Sequence, residues 1–178
     1  MHRYNCNDWW IMIQLNVAEI KKKLVGEKTF RFDLEPKELN LTPEDLPVVG
    51  KIKVEGSLAN GGDVLLLKAV VQASVARQCG RCLKNFQATT EAEILEKFYP
   101  ADAQGIEKDA YTYEFDVVDI TDALREGLLL VEPISALCKE DCRGLCPVCG
   151  IDRNVDSCTC ETTTMDPRLA ALKQLLKK

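Results

Sequence analysis

Six of the chain's nine cysteines stand between residues 138 and 160, in the run Cys138-Lys-Glu-Asp-Cys142-Arg-Gly-Leu-Cys146-Pro-Val-Cys149-Gly150 and then Cys158-Thr-Cys160. A stretch this short and polar cannot bury a core of its own, so something other than hydrophobic burial must hold it. Two thiolates separated by two residues and followed by glycine let the backbone curl, so that amide N–H groups point at sulfur while both sulfurs face one cation. Cys146-Pro-Val-Cys149-Gly150 has that knuckle form. Four thiolates around Zn²⁺ make a closed tetrahedral site, whose binding energy can fold such a segment. Cys146 and Cys149 are the best pair; Cys142 with Cys158 or Cys160 would complete a set, leaving Cys138 marginal. An iron–sulfur cluster is the rival, but the spacing differs from the ferredoxin runs and the Cys-Pro-x-Cys-Gly turn favours zinc.

An isolated Cys79-Gly-Arg-Cys82 lies upstream. Three readings stay open for it: metal ligands, a plain hairpin tip, or a redox pair. Thioredoxin-like pairs open a helix whose N-terminus lowers the thiol pKa, whereas the neighbours here read as strands. With Cys6 set aside, eight cysteines remain, enough for two four-thiolate sites. The single histidine, His2, argues against imidazole ligation and against His-based catalysis. Met1–Asp8 is polar and Trp9–Ile13 is too short for a secretory leader, so a reducing cytosol is expected, where clustered thiols serve as ligands rather than disulfides.

The rest of the chain carries the period-two signature of strands. Met12–Val17 opens an alternating run, and residues 1–11 read as a non-structural N-terminal extension. Ala18–Leu24, with Lys21, Lys22 and Lys23, could form a helical turn or loop, and the solvated charge run is the favoured reading. Thr29–Leu34 and Lys51–Leu58 alternate apolar and polar, Pro36, Pro43 and Pro47 mark a loop between them, and Asn60-Gly-Gly-Asp63 turns the chain into a long run ending near Arg77. Phe86–Phe98 alternates again, which puts Cys79 and Cys82 at the tip of a second hairpin; Tyr111–Phe115 adds a further strand after a polar loop over Pro100–Lys108. Ile120, Ala123, Leu124, Gly127, Leu128 and Val131 then recur at helical spacing up to Pro133, and Asp166-Pro167 starts a C-terminal helix with a Leu169, Leu172, Leu175, Leu176 stripe. The fold class is α+β: an antiparallel meander, as an open barrel or curved sheet, with a packed helix, a Cys-rich zinc segment and a short C-terminal helix. The expected division is an extension over 1–11, a sheet domain with its helix over 12–137, and the zinc segment with the terminal helix over 138–178.

Charge narrows function. The net charge of −5 argues against indiscriminate nucleic-acid coating. The charge is polarised: Val64–Thr90 contains no acidic residue, whereas Glu91–Glu132 holds twelve against Lys97, Lys108 and Arg125. Arg77, Arg81 and Lys84, around the hairpin tip, are candidate RNA contacts, with an ordinary solvated edge as the alternative. Apolar runs such as Val64–Leu67 and Leu128–Val131 are too short to span a membrane, and neither a phosphate-binding glycine loop nor a G-x-S-x-G elbow is present.

The order of Cys79-Gly-Arg-Cys82-Leu, acidic loop, amphipathic helix, Leu137–Gly150 with its four cysteines, and Asp166-Pro-Arg-Leu-Ala-Ala-Leu172 resembles the YceD family, the large ribosomal RNA subunit accumulation proteins. The resemblance covers nearly the whole chain from Met12. It implies a bacterial or plastid factor for accumulation of 23S ribosomal RNA and assembly of the large subunit, with no known enzymatic reaction. A gene that often neighbours one for a large-subunit ribosomal protein is also implied. Expected partners are ribosomal RNA, large-subunit assembly intermediates or such a ribosomal protein, with no membrane and no small-molecule substrate. Some members lack the C-terminal cysteines, which gives the metal a stabilising part, and the want of a plastid-type leader favours a bacterial cytosol. The rival functions are a zinc-stabilised protein–protein adaptor and a thiol oxidoreductase.

Overall fold

The alternating runs become strands. The computed structural model describes residues 12–23 and 25–161, and falls into two units: one made of the chain up to Arg77 with Gln87–Ile134, the other of Gln78–Phe86 with the chain from Ser135 on. The extension over 1–11 and the C-terminal helix expected after Asp166 lie outside the described residues.

In the first unit, β1 is Gln14–Asn16, α1 Ala18–Lys21, β2 Glu27–Leu34, β3 Ile52–Asn60, β4 Leu65–Gln78, β5 Asn85–Pro100, β6 Tyr111–Tyr113, β7 Val117–Asp119 and α2 Thr121–Leu130. Five strands form one open sheet in the order β2-β3-β4-β5-β6. One face is buried, by Ile52, Val54 and Leu58 from β3, every second residue of β4 from Leu65 to Val75, and Ala92, Ile94 and Phe98 from β5. Each Val, Leu or Ile so buried contributes about 1.5–3 kcal/mol. The turn between β3 and β4 forms as its residues require, with Gly62 at φ 94° and the Gly61 N–H donating to the Val64 carbonyl at 2.9 Å.

Three features depart from the sequence expectations. The edge strand β6 runs parallel to β5, Phe98 opposite Tyr111, because residues 101–110 carry the chain back before pairing. The alternating run at Met12 does not join the main sheet; β1 pairs with β7, Leu15 opposite Val118, across more than a hundred residues. The lysine run Ala18–Leu24 is in part helical, and Lys21 is anchored: its Nζ donates to the Phe115 carbonyl at 2.9 Å, pairs with Asp116 at 3.0 Å and sits over the Tyr113 ring.

Helix α2 begins where Asp119 accepts a bond from the Thr121 N–H at 2.9 Å. Ala123, Leu124 and Leu128 enter the core. Gly127 is there for space, since a Cβ at that position would lie 2.7 Å from Ile94 Cγ1. Val131, expected on the apolar stripe, is 43 % exposed, because the helix ends at Leu130.

Candidate metal centres

The second unit is built on two turns of the same design. At Cys79 the main-chain N–H donates to the Lys84 carbonyl (2.9 Å) and the Leu83 N–H returns to the Cys79 carbonyl (2.9 Å). At Cys146 the N–H donates to the Ile151 carbonyl (2.8 Å) and the Gly150 N–H returns to the Cys146 carbonyl (2.9 Å). The residue after the second cysteine is left-handed in both, Leu83 at φ 60° and Gly150 at φ 74°. The CPVCG run announces its turn through Gly150. Cys79-Gly-Arg-Cys82 makes the same turn with leucine in the glycine position, which is why its sequence alone left three readings open.

Each turn meets a second pair of cysteines. Cys79, Cys82, Cys138 and Cys142 form one group and Cys146, Cys149, Cys158 and Cys160 the other, with all four sulfurs of each group within 4.8 Å of one another, and each group could hold a metal ion. The grouping corrects two expectations: Cys142 joins Cys79 and Cys82 instead of the Cys146 set, and Cys138 is an integral member of its group. Local spacing could not reveal this, because the hairpin tip delivers two sulfurs from far upstream. The Cys79–Cys142 and Cys82–Cys138 sulfur separations are both 3.7 Å. A tetrahedral ion with metal–sulfur bonds of about 2.3 Å needs sulfurs about 3.8 Å apart, so this spacing fits such an ion and is far too long for a disulfide.

The turns tune the thiols. The N–H groups of Cys138 and Cys82 pull the Cys79 thiol down to about 6, and those of Cys149 and Val148 do the same to Cys146, also to about 6. Crowding opposes ionisation of others: burial pushes Cys138 up to about 12, and the neighbouring Cys149 sulfur, with burial behind it, pushes Cys160 up to about 12. Four sulfurs this close ionise together only around a cation, and its binding would release protons.

The environments differ. Cys79, Cys82 and Cys142 are buried in a small apolar cluster with Phe86, Leu137 and Leu145, whereas Cys149 is exposed and Cys158 and Cys160 are half-buried. The segment between the groups ties them: Leu145 bridges to Asp152, the Leu145 N–H donates to the Arg81 carbonyl at 3.0 Å, and the Arg153 N–H to the Gly144 carbonyl at 3.0 Å. Asn154 Nδ2 donates towards the Cys142 sulfur at 3.5 Å and its Oδ1 accepts from the Arg143 N–H at 2.9 Å, while Asp152 Oδ1 accepts from both the main-chain N–H and the Nδ2 of Asn154. Asn154 is thus an outer partner of the first group that sequence reading missed; the Asp152-x-Asn154 turn chemistry was the available signal.

The family model for the large ribosomal RNA subunit accumulation protein YceD matches residues 67–176. The chain belongs to the YceD family. The matched span contains all eight clustered cysteines and begins within β4. An uncharacterized family relative, YlbN of Bacillus subtilis strain 168, is 29% identical over 156 residues, 85% of this chain and 91% of the relative. The uncharacterized protein Rv2926c of Mycobacterium tuberculosis strain H37Rv is 29% identical over 116 residues, 63% of this chain and 56% of that protein. No solved structure matches.

The basic residues nominated for RNA in this YceD family member are differently placed. Arg77 is already paired: its guanidinium grips the Glu132 carboxylate through Nε at 2.8 Å and Nη2 at 2.6 Å, also donates to Thr90, and its side chain is only 12 % exposed. Arg81 and Lys84 are exposed, although Arg81 Nη1 donates to the Cys142 carbonyl at 2.9 Å. Among the described residues no helix is long and apolar enough to cross a membrane.

Proposed function

We propose that this protein is a non-enzymatic ribosome-biogenesis factor of the bacterial cytoplasm, supporting accumulation of 23S ribosomal RNA and assembly of the large subunit, with Zn²⁺ held structurally in both four-cysteine groups. The observation that carries the reading is the family match across a span containing two sulfur-only donor sets. When the protein fills all four positions of a tetrahedral ion, no position is left for water or substrate, which is the pattern of a structural and not a catalytic centre. Sulfur-only donors suit Zn²⁺ or iron–sulfur chemistry, and paired knuckle turns favour the single ion. The redox alternative is weakened because Cys79 and Cys82 share their site with Cys138 and Cys142, so that the thiol lowered by the turn amides is one of four sulfurs close enough to hold a single ion.

Contact with RNA is assigned to Arg81 and Lys84, without Arg77, whose charge is spent on Glu132. Four thiolates around a divalent ion leave excess negative charge, and Arg81 and Lys84 beside Cys79 and Cys82 would also offset it. That second role favours the adaptor reading. The two are separated by changing Arg81 and Lys84 to Glu and measuring both metal retention and the salt dependence of binding to large-subunit RNA. Weaker binding with a flatter salt slope at full metal content supports RNA contact; unchanged binding supports the adaptor. The function itself is tested by depleting the protein and following 23S precursors and subunit profiles. Normal profiles would reject it.

A further inference from the structure

The face between α2 and β5 is an open groove of about 510 Å³, lined by Ala92, Ile94, Leu95, Gly127, Leu130 and Val131 among others. Within it Gly127 lets the helix lie close on the strand at Ile94. Leu95 is 70 % and Leu130 86 % exposed. Single exposed leucines are ordinary, but Leu95, Leu130 and Val131 all line this one groove. Its rim is acidic: Glu93, Glu96 and Glu126 line it, Glu126 is fixed by the Tyr111 hydroxyl donating to it at 2.5 Å, and no Lys or Arg is among the lining residues. Helix α2 has no basic residue in its last turn, so the negative end of its dipole also faces this region unopposed.

We propose that this groove docks a basic protein segment, one that carries leucine-like side chains between lysines or arginines. Apolar side chains would seat on Leu95, Leu130 and Val131, and flanking cations would meet Glu93, Glu96 and the α2 C-terminus. Nucleic acid is excluded as occupant by the rim, which repels phosphate. The proposal depends on neither the metal nor the RNA reading.

The test uses the full, metal-loaded chain and a fluorescent synthetic amphipathic peptide of lysine and leucine, with a glutamate-for-lysine counterpart as control. The lysine peptide is expected to bind and the glutamate peptide to fail. Leu95→Ser with Leu130→Ser, and separately Glu93→Gln with Glu96→Gln, are each expected to weaken binding about tenfold, as loss of a central contact does. All four side chains are exposed, and unchanged melting of the variants verifies that only the surface was altered. Equal binding by wild type and both variants would overturn the proposal. So would self-association of the wild type abolished by Leu130→Ser, which would give the groove to a second copy of the chain. Neither result bears on the 23S precursors that test the function.

Discussion

Leu83 occupies a position that its counterpart in the other turn gives to Gly150. A left-handed leucine costs roughly 1–2 kcal/mol, and glycine would return about 0.5–1 of that as chain entropy. Leu83 is 56 % exposed, so little burial is lost on shortening it. Leu83→Gly is therefore expected to stabilise the metal-loaded protein by up to about 1 kcal/mol, read as a denaturant midpoint. A clear loss of stability would mean that the leucine side chain itself holds the turn. Asn154 acts on the metal from outside: with its amide removed in Asn154→Ala, the Cys142 sulfur loses a donor. Metal affinity of that group should fall about 10–100-fold, as loss of an outer partner typically does, measured by competition with a chelating dye. An unchanged affinity would make the 3.5 Å contact incidental.

At the scale of elements, the contact of α2 with β5 tolerates no added atom. Gly127→Ala is expected to cost about 1–3 kcal/mol despite the better helix propensity of alanine, because the methyl must displace Ile94. A stability gain in urea unfolding would show that the helix can lift off. Much of this layer was readable: alternation marked β2, β3, β4 and β5, Asn60–Asp63 marked a hairpin, and helical spacing marked α2. The unread parts share one physical cause, long-range pairing. Nothing local to Gln14 names Asp119 as its partner, nothing in the strand Tyr111–Tyr113 fixes its direction, and nothing near Arg77 reveals that Glu132 takes its charge. The centres divide in the same way. The turn at Cys146 was legible from Pro147 and Gly150, but the company Cys142 keeps depends on where a hairpin tip arrives from far upstream.

For the whole molecule, chelation is expected to act unevenly. The first unit has a continuous apolar core, whereas the second has a small cluster around its cysteines. Metal removal should strip hydrogen-exchange protection from 78–86 and 135–161 while β3 and the unit-one parts of β4 and β5 keep theirs. A single loss across the chain would mean that the core depends on the metal too.

The second unit is discontinuous in sequence, and this has a consequence during synthesis. Translation adds about 5–20 residues per second, so the roughly fifty-five residues between Cys82 and Cys138 take about three to eleven seconds to appear. Throughout that interval the emerging polypeptide offers two sulfurs of a centre that needs four, and Cys79 still lacks the Cys138 N–H that lowers its thiol in the finished fold. A two-sulfur intermediate binds weakly and exchanges freely, whereas the completed set closes around whatever it holds. The choice of ion, and the exposure of the pair to oxidants, therefore belong to the nascent chain: fast elongation through the acidic stretch shortens the vulnerable period, and pausing there prolongs it.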